Sequence, residues 1–98
     1  MAFTDDYDFE VLVNESEKLV TEELGRQLDS YKGTICRCET CVIDMAAMAL
    51  NTVKPLYRVS LLGTQYAAQA MSDPAYSRSL KESVTKAIEK VRKNPAHD

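Results

Sequence analysis

The stretch from Cys36 to Tyr57, C-R-C-E-T-C-V-I-D-M-A-A-M-A-L-N-T-V-K-P-L-Y, constrains this chain more than any other. It opens with three cysteines in six residues, runs at once into apolar positions at helical spacing, and closes at Lys54-Pro55. The proline removes an N–H and restricts the residue before it, so thiols, helix and stop form one unit. Val42, Met45, Ala46, Ala49, Leu50 and Val53 make a continuous apolar face, whose alanines let a partner helix approach closely. That face predicts either core or a dimer interface. Asp44, Ala47 and Asn51 fall on another side, placing one carboxylate and one amide on a common stripe.

The remaining segments read as helices arranged around this one. Phe9, Leu12, Val13, Leu19, Val20, Leu24, Leu28 and Tyr31 recur at three- and four-residue steps, which predicts an amphipathic helix. Asn14 followed by Glu17 has the form of a capping box, so the firm helix is expected to start there, with Val11 to Val13 as a lead-in. Lys32-Gly33 is expected to end it, and Thr40 or a neighbour to cap the helix after the cysteines. Leu56 to Leu62 alternates like a short strand up to Gly63, predicting an extended connector, with pairing across a dimer as one arrangement open to it. Thr64 to Met71 reads as helical, and Ser72-Asp73-Pro74 is a cap with proline in the next first turn. Tyr76, Leu80, Val84, Ala87, Ile88 and Val91 stripe that last helix, Glu82/Lys86 and Glu89/Lys93 stand as i,i+4 pairs, and Asn94-Pro95 stops it. The expected fold is all-α: about four helices and a short connector in one domain over residues 1–98, with 1–8 and 94–98 as flexible tails.

Size and charge narrow the function classes. A chain of 98 residues with 45% hydrophobic and 28% charged side chains reads as one globular domain whose modest core would gain from a metal or a second subunit. No apolar run approaches the ~18 residues of a membrane span, and the acidic start lacks the basic region of a signal peptide, so a cytoplasmic location is expected. Residues 1–30 hold nine acidic side chains against Lys18 and Arg26, while residues 75–93 hold six basic ones against Glu82 and Glu89. Attraction between these regions, within a chain or across a dimer, explains the asymmetry better than direct DNA binding, because the net charge is −3. No P-loop, G-x-G-x-x-G, H-E-x-x-H or nucleophile paired with an internal histidine is present, so no catalytic residues are assigned and an enzyme is not expected.

Two constellations carry chemistry. Cys36, Cys38 and Cys41 supply three soft ligands at a turn into a helix, as zinc sites do, with the fourth ligand open among His97, Asp44, water and a residue of a second subunit. Cys38 and Cys41 also form a C-x-x-C redox pair, although the βαβ context of thioredoxins is missing; three reduced thiols are the plain alternative. Lys54, Tyr57 and Arg58, with Asp44, Asn51, Arg37 and Tyr66 as neighbours, supply cations for phosphate, rings for stacking and polar groups for a purine edge. The same residues serve equally as exposed cations, a core-packed tyrosine and a helix cap.

The ordered string C-x-C-x-x-C, an aspartate three residues on, the Ala/Met/Leu run to Asn51 and then K-P-L-Y resembles the ComFB (late competence development protein) family over about residues 14–66. The resemblance implies a zinc-bound helical homodimer with ligands drawn from the cysteine cluster. It also implies a small cytoplasmic signalling protein that binds a cyclic dinucleotide, c-di-GMP or c-di-AMP, and relays it to an effector protein. The alternative is a zinc-stabilised interaction dimer in competence or a related pathway, without a small-molecule ligand.

Overall fold

Helix α1 (Glu15–Asp29) starts where its cap chemistry dictates: the Asn14 side chain accepts from the Ser16 backbone N–H at 3.2 Å. This is seen in a computed structural model that describes residues 2–59 and 62–97. No bond from Glu17 back to Asn14 completes the capping box among the described residues. The helix ends at a Ser30 cap, ahead of Lys32-Gly33. Gly33 is required for packing instead, since a Cβ there would lie 2.8 Å from the Tyr31 ring.

Helix α2 (Glu39–Leu50) is capped by Cys38 and not by Thr40. Its Met45, Ala49 and Cys41 are buried, together with Val53 just beyond it, while Val42, Ala46 and Leu50 are half-buried. Helix α4 (Pro74–Lys93) begins at the Asp73 cap with proline in its first turn and buries Leu80, Val84, Ala87, Ile88 and Val91. α1, α2 and α4 enclose one core, completed by Val20, Leu24 and Leu28 of α1. Helix α3 (Leu62–Ser72) takes in Gly63 and packs on α4. Glu89 pairs with Arg92 at 2.8 Å rather than with Lys93, because the three-residue step already brings the guanidinium alongside.

The connector is extended, as expected, and it pairs inside the chain. Strand β1 (Val13–Asn14) runs antiparallel to β2 (Tyr57–Arg58), with Val13 opposite Arg58 and Asn14 opposite Tyr57. Asn14 Oδ1 also accepts from the Leu56 backbone N–H at 2.8 Å, and Glu15 N–H donates to the Leu56 carbonyl at 2.8 Å. One residue therefore caps α1 and holds the connector. Ser60 and Leu61, at the end of the expected strand, lie outside the described residues.

The molecule is flat, 46 × 38 × 18 Å, with a radius of gyration of 15.5 Å where a compact chain of this length has about 13 Å. Its accessible surface is 6976 Å², against about 5,600 Å² for a compact monomer of 11.0 kDa.

Candidate metal centre

The start of α2 and the segment after α4 converge on one point. α4 stops at the Asn94 cap, and the chain beyond it returns to the cysteines, bringing His97 Nε2 to 3.3 Å from Cys36 Sγ. The Sγ atoms of Cys36, Cys38 and Cys41 and a His97 ring nitrogen all lie within 4.8 Å of one another. Of the candidate fourth ligands, His97 is in the cluster and Asp44 is not. A segment expected to be a flexible tail is thus one wall of the site.

Local chemistry sets the thiols apart. Cys41 is fully buried, Cys36 half-buried and Cys38 exposed. The Cys36 thiol is held below its ordinary range by the Cys38 backbone N–H, helped by the Cys38 and Cys41 side chains. At Cys41 the Ala96 backbone N–H pulls the thiol down, while burial and the Cys38 and Cys36 sulfurs outweigh it and leave the thiol pushed up. A cation at the centre would reverse the penalty at Cys41 by favouring all three thiolates.

The second constellation is not assembled as one site. Lys54 lines a groove of about 460 Å³ with Leu56, Gln69, Ala70, Asp73, Ala75 and Tyr76, and the Tyr76 hydroxyl donates to the Lys54 carbonyl at 3.2 Å. Arg58 instead lines a groove of about 400 Å³ beside β1, where its guanidinium is ion-paired to the buried Glu15. Tyr57 is 61% exposed and does not pack on the core; Leu56 occupies the inward position next to it. Asn51 caps α2, Asp44 is half-buried on α2, and neither lines the Lys54 groove. Arg37 is exposed beside the cysteines. The Tyr66 side chain lies outside the described residues. Gln69, Asp73 and Tyr76, which sequence reasoning missed as groove residues, come from the α3–α4 junction. Only the fold brings them beside Lys54.

Fold and cluster define a small helical domain with a three-cysteine, one-histidine candidate metal site at the start of its central helix. A family model described as late competence development protein ComFB matches residues 13–95. The chain belongs to the ComFB family. Among solved structures it is similar to the late competence protein ComFB from Bacillus subtilis, at 26% identity and a TM-score of 0.70, covering 87% of this chain and 94% of that one. No match was found among curated proteins. Among the described residues, no helix is long and apolar enough to cross a membrane.

Proposed function

We propose that this protein is a zinc-stabilised, homodimeric binding module of the cytoplasm that performs no catalysis of its own. The observation carrying this reading is the convergence of four ligand atoms within 4.8 Å of one another. Zinc bonds of about 2.3 Å to sulfur and about 2.0 Å to nitrogen set tetrahedral ligands about 3.5–3.8 Å apart, so a contraction of about 1.3 Å or less suffices. Cys36, Cys38 and Cys41 would supply thiolates and His97 an imidazole nitrogen. Four protein ligands leave no open position for a substrate, which suits a structural role. The bound ion would supply folding free energy by tying the start of α2 to the segment after α4.

Homodimerisation follows from α2. The helix is apolar on nearly every side, a pattern expected of one buried all round, yet Ile43 is 61% exposed and Ala47 is exposed in the single chain. A second copy packed against this face would cover it and account for the surface in excess of a compact monomer. Mass spectrometry of the purified protein under native and denaturing conditions tests the reading. Two chains with two zinc ions are expected; a metal-free monomer overturns it.

Within this module, the Lys54 groove favours the cyclic dinucleotide reading that the family resemblance suggests. Its volume of about 460 Å³ lies in the range of small-molecule sites, about 300–1,000 Å³. Lys54 would meet phosphate, Tyr76 offers a ring face, and Asp73 and Gln69 offer polar groups to a base edge. A two-fold symmetric ligand also suits a two-fold dimer that presents each groove twice. Ligand-induced movement there would alter the surface shown to an effector protein. Calorimetry with c-di-GMP and c-di-AMP checks this, with Lys54→Ala and Tyr76→Ala each expected to cost about 1–3 kcal/mol. No heat with either nucleotide leaves the zinc-stabilised interaction dimer as the function.

A further inference from the structure

The segment before β1 has no place in the reading above. Phe3, Tyr7 and Phe9 pack on one another, with ring centroids 4.8, 6.1 and 6.4 Å apart, yet are 68%, 59% and 50% exposed. Val11 and Leu12 continue the apolar series at 50% and 45% exposure, and none of the five joins the core cluster. Asp5, Asp6, Asp8 and Glu10 lie among these residues with no cation between Ala2 and Leu12. Exposed rings on an acidic segment call for an apolar cleft edged by positive charge.

The same chain carries such a cleft. Between α2 and α4, Met48 and Ala87 line a cavity of about 100 Å³, together with Thr52, Ser83, Lys86 and Lys90. Lys86 and Lys90 stand one turn apart on α4 and make no ion pair among the described residues. The other two described grooves have carboxylates in their walls, Asp73 in one and Glu15 and Glu17 in the other. The lysine cleft has none. A cavity of about 150 Å³ is needed to enclose a benzene ring, so this cleft, at about 100 Å³, takes the edge of one ring and not the whole cluster.

We infer that the Phe3–Leu12 segment docks on a second copy of this chain, laying the edge of one aromatic ring into the Met48/Ala87 cleft with its carboxylates against Lys86 and Lys90. A second copy is the favoured occupant because both halves of the match, acidic-aromatic and basic-apolar, are present on every chain. In the single chain the rings contact only each other among the ring pairs described, and the molecule exposes more surface than a compact monomer. This rests on the homodimer reading and adds to it a contact separate from the Ile43 face of α2.

The test uses the full chain in two measurements. Sedimentation velocity at low salt gives the dimer dissociation constant for wild type, Lys86→Glu/Lys90→Glu, Asp5→Lys/Asp6→Lys/Asp8→Lys, and the combination. Each charge reversal is expected to weaken the dimer about tenfold, and the combination to recover most of the loss. Carbodiimide cross-linking of a mixed ¹⁴N/¹⁵N population should then yield mixed-isotope peptides joining residues 5–10 to Lys86 or Lys90. A wild type that stays monomeric overturns both this inference and the homodimer reading. A dimer whose dissociation constant ignores both reversals, or cross-links confined to one isotope, overturns the inter-copy docking alone.

Discussion

The Cys41 backbone N–H donates to Cys38 Sγ at 3.4 Å, so the sulfur of one candidate metal ligand is also the N-cap of the helix that carries another. The candidate metal site and the helix start therefore share one sulfur, and substitutions at Cys38 can separate the two roles. Serine caps a helix well but is a poor zinc ligand, whereas alanine does neither. With chelator present, Cys38→Ser should be more stable than Cys38→Ala by about 0.5–2 kcal/mol in thermal denaturation. With zinc added, both should fall below wild type.

His97 joins the candidate metal centre from 61 residues along the chain from Cys36. Structural zinc in finger peptides is worth about 10–16 kcal/mol over four ligands, so losing one should cost about 3 kcal/mol, or about 100-fold in affinity. His97→Ala should still bind zinc in competition with a chromophoric chelator, but that much more weakly. Hydrogen exchange should rise in residues 94–97 while α2 stays protected.

Asn14 Oδ1 accepts from Ser16 N–H at 3.2 Å, Ser16 Oγ at 2.7 Å and Leu56 N–H at 2.8 Å. Removing it takes the cap from α1 and leaves the Leu56 amide without that partner. Asn14→Ala should lower stability by about 1–3 kcal/mol in urea unfolding. Asn14→Asp, which keeps the acceptor, should lose much less, and the zinc content of both should match wild type.

Glu23 is buried on α1, and the Arg26 side chain holds its carboxyl below the usual range, against the cost of burial and with help from Gln27. Its bonds to Arg26 measure 3.0 and 2.6 Å, and Gln27 carries the network on to the Lys81 carbonyl of α4 at 3.2 Å. A depressed folded-state pKa means that the unfolded chain binds the proton more readily. The stabilisation is thus full above the unfolded value near 4.5 and is lost as pH falls through the lower folded one. Unfolding series from pH 6 to pH 3 should show wild type losing its advantage over Glu23→Gln across that window.

Ile43 is 61% exposed on a helix whose opposite side carries the core residues Met45 and Ala49. Ile43→Glu should leave the helical circular dichroism and zinc content unchanged, because nothing in the single chain requires an apolar residue there. On the proposed homodimer, the same variant should sediment as a monomer at concentrations where the wild type sediments as two chains.

Elements marked by local chemistry were legible from the chain itself. Asn14 and Asp73 announce helix starts, Asn94-Pro95 announces a stop, and the three-residue rhythm from Leu80 to Val91 marks a buried face. In each case the determining groups lie within a turn or two, so no tertiary knowledge is needed. The grouping of Cys36, Cys38 and Cys41 was readable for the same reason, since their spacing is a property of six consecutive residues.

What lay far apart in the chain was decided by packing. The alternation from Leu56 onward shows an extended segment but not its partner, because β1 and β2 meet only once α1 has carried the chain away and α2 has brought it back. Arg58 reads as a free cation until that pairing sets it against Glu15, and Lys54 reads as its neighbour until α3 and α4 fold a separate groove around it. His97 has no periodic pattern to place it; it joins the cysteines because α2 and α4 pack on one another and the chain turns back after Asn94. Short-range signals specify which helices form and where they stop. The approach of His97 to the cysteines and the division of the cations between two grooves arise only when burying the apolar faces of α1, α2 and α4 fixes the helices relative to one another.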